Sequence, residues 1–177
     1  MSLPIALRLE GISVLIAGCG KGTARALFAL VEAGARVTLV ASGELPKEVE
    51  LLASQGEIRR LRAPLKKSDL QRYRLVFAAG PGRAANRRIL AWARAAKVWA
   101  GSLEAGGEGE VALLNSVRRS GLTVAFADAK ARPGLTAFLR RRLQRALPRW
   151  LKQAPKARPK LKRRLIRGWA SVARNPD

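Results

Sequence analysis

Three glycines crowd the stretch "SVLIAGCGKGTARA", residues 13–26, directly after a short apolar run. Gly18, Gly20 and Thr23 fit the G-x-G-x-x-(G/A) spacing of a dinucleotide-binding turn, with a small residue in the last place. The chemistry asks for those residue types. Gly18 permits the tight turn, Gly20 lets the backbone approach a pyrophosphate, and the amides of Cys19, Lys21, Gly22 and Thr23 offer donors at the positive end of a helix. A turn that only packs a helix close on a strand asks for the same glycines. Cys19 at a helix start is placed where a thiolate is favoured, or it is a small residue in a tight turn. About 20 residues further on, where an acidic residue would bind the ribose hydroxyls, the sequence has Ser42, with Glu44 in the turn beyond it. No Arg directly follows the second apolar run, so the spacing predicts NAD rather than NADP.

Such a loop works only between a strand and a helix, and the surrounding pattern supplies both. "ISVLIAG" reads as a buried parallel strand and "GTARALFALVEAGA" as a helix closed by Gly34. "RVTLVAS", "EIRRLRA" and "YRLVFAAG" read as further strands, while "LPKEVELLASQG" and "AANRRILAWARAAK" have helical periodicity. Alternation of this kind predicts right-handed crossovers and a Rossmann-like parallel sheet covered on both faces, over residues 1–110. The pattern then changes. "EVALLNSVRRSGLTVAFAD" predicts two short strands joined by a turn at Ser120 and Gly121, a small antiparallel region over residues 111–134. "LTAFLRRRLQRALPRWLKQ" and "KLKRRLIRGWASVAR", split by "APKARP", predict a basic helical region over residues 135–177.

A chain of 177 residues with 48% apolar content suffices for one sizeable core, or one core plus a small appendage, and excludes two large domains. The single Cys excludes an intrachain disulfide, and the absence of His removes the usual imidazole metal ligands, so no metal site is expected. Arg8 and Glu10 interrupt the apolar start, and no run reaches the roughly 20 apolar residues needed to span a bilayer, so a soluble cytoplasmic protein is expected. The net charge is +23, and residues 130–177 hold 16 of the 35 Lys and Arg against Asp177 alone. That asymmetry predicts a polyanionic partner: a nucleic acid, an anionic membrane surface or a many-carboxylate small molecule, with "LKRRLIRGW" and its Trp169 among basic residues supporting the first.

The opening "LPIALRLEG", the loop "AGCGKGTAR", "LVEAGARVTLVA", "LVFAAGPGRAAN" and "SGLTVAFADAKARPGLTAFLRRRL" follow one another at the spacing of a known family. From Leu3 to about Trp150 the chain resembles the precorrin-2 dehydrogenases, the NAD-dependent module of siroheme synthases, some of which are also ferrochelatases. The resemblance implies oxidation of precorrin-2 to sirohydrochlorin with NAD+, a homodimer, and a substrate bearing eight carboxylates that Arg140, Arg141 and Arg145 would hold. Lys162 to Arg164 would assist. The family's Asn-x-x-Asp after the fifth strand is Gly101 and Glu104 here, which makes Glu104 the expected proton acceptor, its extra methylene accommodated by Gly101. The family's Thr-Asp-Asp is Gly80-Pro81-Gly82, where Gly80 and Pro81 would still let the cofactor approach. Asp128 replaces a Ser and is the second candidate base. These departures also suit a dinucleotide-binding homologue with lost or redirected catalysis.

Overall fold

The computed structural model describes residues 3–104, 107–128 and 132–153. Five strands form one sheet: β1 (Ser13–Ala17), β2 (Arg36–Val40), β3 (Ile58–Leu61), β4 (Leu75–Ala78) and β5 (Trp99–Ser102). All pair in parallel, in the order β3-β2-β1-β4-β5. The helices α1 (Thr23–Glu32), α2 (Lys47–Ser54) and α3 (Arg83–Ala95) follow β1, β2 and β4, as the periodicity predicts.

Alternation along β1 explains why the strand is apolar throughout. Val14 and Ile16 join the core formed with Ala26, Leu27 and Leu30 of α1 and with Val49 and Leu52 of α2. Leu15 points to the other face, among Leu70, Leu90 and Ala93. Both faces are covered, so each strand residue finds apolar contact. The β3 to β4 connection is made by a short 3-10 helix, Lys67–Arg72, which buries Leu70 under the sheet. No helical run was legible there, because six residues are too few to show a period of 3.6.

Strand order reverses between β1 and β4, and the chain leaves β1 for one face and β4 for the other. The crevice beyond the carboxyl ends of these two strands is where ligands bind in open α/β sheets. Past β5 the chain folds back: Ser102 N–H donates to Glu108 O and Glu110 N–H to Ala100 O, with an antiparallel bridge between Gly101 and Gly109. Then come the antiparallel strands β6 (Asn115–Arg119) and β7 (Leu122–Phe126), joined at Ser120 and Gly121, both at positive φ. That pair of positive φ values is what a two-residue hairpin turn requires. Finally α4 (Pro133–Gln153) packs on β6, burying Leu147 and carrying Pro148 in its last turns.

Candidate dinucleotide and substrate site

The glycine loop lies in the crevice, fastened from both sides. Gly18 N–H donates to Val40 O and Gly20 N–H to Ala79 O, each at 2.8 Å. A Cβ on Gly18 would overlap the Ala79 carbonyl, and one on Gly20 would stand 2.9 Å from the same oxygen. Packing against the end of β4 therefore already demands both glycines. Gly22, at φ 89°, is the left-handed N-cap of α1. The Thr23 amide donates to Gly20 O, but those of Lys21, Gly22 and Ala24 have no backbone acceptor among the described residues. With no acidic residue in the first turn of α1, these amides and the helix dipole leave positive potential at the loop.

Two buried side-chain atoms lack hydrogen-bond partners among the described residues, Thr23 Oγ1 and Asn86 Nδ2. One stands at the start of α1 and the other in the first turn of α3, on opposite sides of the crevice. Asn86 Oδ1 accepts from Gly80 N–H at 2.7 Å, which sets the loop through Pro81 that follows β4. Sequence reading quoted Asn86 only as part of a motif. Its geometric role depends on a six-residue separation closing into a hydrogen bond.

Asn86 also lines a cleft with Arg83, Arg87, Ser102, Glu104 and Glu108. Glu104 is half-buried there, its amide donating to Ser102 Oγ at 3.2 Å. Arg87 forms a 2.7 Å ion pair with Glu108, and Arg94 a 2.9 Å pair with Glu110, so the returning segment is held on α3. Hydrogen bonding to Arg87 lowers the Glu108 pKa below its ordinary value. The expectation that Gly101 makes room for Glu104 is corrected. A Cβ at Gly101 would overlap the carbonyl of Val111, so the returning chain fills that space.

Cys19 is half-buried in the loop, and burial pushes its thiol above the ordinary range, against a smaller opposing pull from Arg60. The loop does not favour its thiolate, which corrects that reading; Cys19 serves as a small residue in a tight turn. Ser42 is exposed after β2. Arg60, half-buried on β3, reaches over to donate to Ala41 O and Gly43 O. Sequence reading missed Arg60, because only the parallel pairing of β3 with β2 brings it beside that turn.

The basic helix comes near the loop side of the molecule beside Arg25. Arg25, in the first turn of α1, donates to Asn115 Oδ1 of β6. Partial burial, and then the charge of Arg140, lower the Arg25 pKa. Arg140 is thereby brought near α1, while Arg141 and Arg145 stand exposed on α4 with no contact to the loop among the described residues. Asp128 takes hydrogen bonds from the backbone and guanidinium of Arg132, at 2.8 to 3.1 Å, just before α4. Lys162 to Arg164 and Trp169 lie outside the described residues. Among the described residues, no cluster of His, Cys, Asp and Glu gathers to hold a metal, and no helix is long and apolar enough to cross a membrane.

Sheet order, loop and crevice together define a Rossmann-type dinucleotide-binding fold. The chain belongs to the family described as "Putative NAD(P)-binding", which it matches over residues 5–113. It is 32% identical over 149 residues to siroheme synthase 3 of Aeromonas hydrophila, a match covering 84% of this chain and 32% of that protein. To a siroheme synthase of Escherichia coli it is 29% identical over 171 residues, covering 97% of this chain and 37% of that one. The chain thus spans about a third of the length of the curated relatives it matches. Among solved structures, "SirC, precorrin-2 dehydrogenase" superposes with a TM-score of 0.66 at 22% identity, covering 81% of this chain and 70% of that one.

Proposed function

We propose that this chain is an NAD-dependent dehydrogenase that oxidises precorrin-2 to sirohydrochlorin in siroheme or cobalamin biosynthesis. The observation that carries the reading is the glycine loop at the strand-order reversal, its Lys21, Gly22 and Ala24 amides left without backbone acceptors among the described residues. The names of the relatives, siroheme synthase and precorrin-2 dehydrogenase, supply the substrate.

The chain's residues fit the cofactor. Backbone amides at the start of α1 would hold the pyrophosphate, Ser42 would face the adenosine ribose, and Gly80 and Pro81 would border the opposite half. When bound, NAD+ supplies the hydride acceptor. Glu104, which lines the cleft with Asn86, takes the proton that the substrate loses with the hydride. Asp128, engaged by Arg132, is the less available base and serves to fix the chain entering α4. Arg140, next to α1, binds a substrate carboxylate, and Arg141 and Arg145, one helical turn apart, bridge two more. We further propose a homodimer built on the β6 and β7 region. The tail that suggested nucleic acid lies outside the described residues, so no structural observation favours that alternative.

Calorimetric titration tests the carrying observation. NAD+ binds the wild-type chain and fails to bind Gly20→Val, whose branched side chain would meet both Ala79 O and the phosphate. Equal affinity in the two proteins would remove the loop from the site.

A further inference from the structure

Arg83, Asn86 and Arg87 stand three and four residues apart on one face of α3, and they line the cleft together with Glu104 and Glu108. Arg87 gives Nε and Nη2 to the Glu108 carboxylate at 2.7 to 3.0 Å, so these two charges satisfy each other. Arg83 and Glu104 are left over. Neither forms an ion pair among the described residues. The charge of Arg83 is felt at Glu108, after the larger effect of the Arg87 hydrogen bond.

Helix physics does not ask for Arg83. It is exposed in the first turn of α3, at the positive end of the helix dipole, where a cation is disfavoured, and that turn holds no acidic residue to offset it. Asn86, one turn on, is 2% exposed. Its Oδ1 accepts from Gly80 N–H at 2.7 Å, which fixes the orientation of the amide and leaves Nδ2, with two N–H donors, buried and unpartnered among the described residues. An unpaired buried donor is costly, and a ligand oxygen entering the cleft would remove that cost.

We propose that Arg83 and Asn86 form a carboxylate subsite in the cleft of Glu104, which holds one acetate or propionate group of the tetrapyrrole. This rests on the reading of the chain as a precorrin-2 dehydrogenase. A substrate carboxylate brought beside Glu104 meets a like charge, and Arg83 is the cation of the cleft left to offset it. Its guanidinium supplies two parallel donors and Asn86 Nδ2 a third. Arg83 thereby selects which edge of the macrocycle faces Glu104, and takes no part in moving the proton or the hydride.

The test combines steady-state kinetics on precorrin-2 with equilibrium binding of sirohydrochlorin, the product, which keeps the carboxylates and requires no turnover. Arg83→Ala should raise the KM for precorrin-2 and the Kd for sirohydrochlorin about fivefold or more, as for a lost charged hydrogen bond, with kcat and NAD+ affinity within about twofold. Arg83→Lys keeps the charge without the planar fork and should recover part of the loss. Asn86→Asp keeps an acceptor for Gly80 N–H, sets a further negative charge in the cleft, and should also weaken sirohydrochlorin. Arg88→Ala removes the same charge from α3 beside Trp92, outside the cleft, and should leave both constants unchanged, separating a subsite from the general attraction of a cationic chain. Unchanged sirohydrochlorin binding in Arg83→Ala or Asn86→Asp overturns the proposal, as does an equal loss in Arg88→Ala. A parallel loss of NAD+ affinity in Arg83→Ala also overturns it, and so does a fall in kcat at constant KM with a shifted pH profile, which would make Arg83 the counter-ion of Glu104. A wild type that binds sirohydrochlorin through Arg83 without oxidising precorrin-2 keeps the subsite and loses the dehydrogenase reading; one that binds no tetrapyrrole loses both.

Discussion

Glu104 and Gly101 are held in the structure for separable reasons. Glu104 lines the cleft with Asn86, and on the proposed reading it is the base, a role that contributes about 10²- to 10⁴-fold to rate. Glu104→Gln should therefore lower turnover by at least about tenfold and leave dinucleotide affinity unchanged, which steady-state kinetics and calorimetry on one preparation would check. Unchanged turnover would place the base elsewhere. Gly101, in contrast, is fixed by the chain that returns over β5, since Val111 O occupies the position of a Cβ. Gly101→Ala should lower stability by about 1 to 3 kcal/mol, seen as a reduced unfolding temperature, because backbone has to move. The raised Cys19 pKa has a sign that can be followed in reactivity. A thiol held above its ordinary range stays protonated at neutral pH, so its alkylation is slower than that of an unfolded control and accelerates only at higher pH. An alkylation rate matching the unfolded chain at neutral pH would contradict this.

At the scale of elements, the sequence showed what depends on local periodicity and concealed what depends on pairing. The strands β1, β2 and β4 and the helices α1 and α3 are legible because burial on both faces makes the strands mostly apolar and burial on one makes the helices periodic. The loop was legible because its glycines are demanded by a tight turn. Arg60 was hidden, since its neighbours at Ala41 and Gly43 are set by β3 joining the sheet. The return of residues 107–111 over β5 was hidden too: "EAGGEGEV" has no period, and the close backbone contacts of Gly107 and Gly109 depend on β5 lying beneath them. The first turn of α1 carries a prediction of its own. Thr23 Oγ1 is buried without a partner among the described residues, so Thr23→Val, of the same shape, should hold or raise the unfolding temperature. A clear fall in that temperature would show that the hydroxyl has a partner in the folded chain.

Across the whole molecule, a dinucleotide site and a basic helix are joined through a hairpin. α1 reaches β6 by the Arg25 to Asn115 hydrogen bond and the Arg118 to Glu32 ion pair, and α4 packs on the same strand. The crevice and the cationic surface of α4 thus belong to one assembly, as a cofactor and a carboxylate-rich substrate would need. The concentration of charge in residues 130–177 was plain in the sequence, but its target was not, because charge alone does not distinguish substrate from nucleic acid. The most direct test is to mix the purified chain with precorrin-2 under anaerobic conditions and follow sirohydrochlorin by absorbance, with and without an oxidised nicotinamide dinucleotide. The account predicts sirohydrochlorin formed in step with reduced dinucleotide, only when the dinucleotide is present, and slowed at least about tenfold in Glu104→Gln. Dinucleotide binding without any oxidation of precorrin-2 would contradict it and mark the chain as a homologue with lost or redirected catalysis.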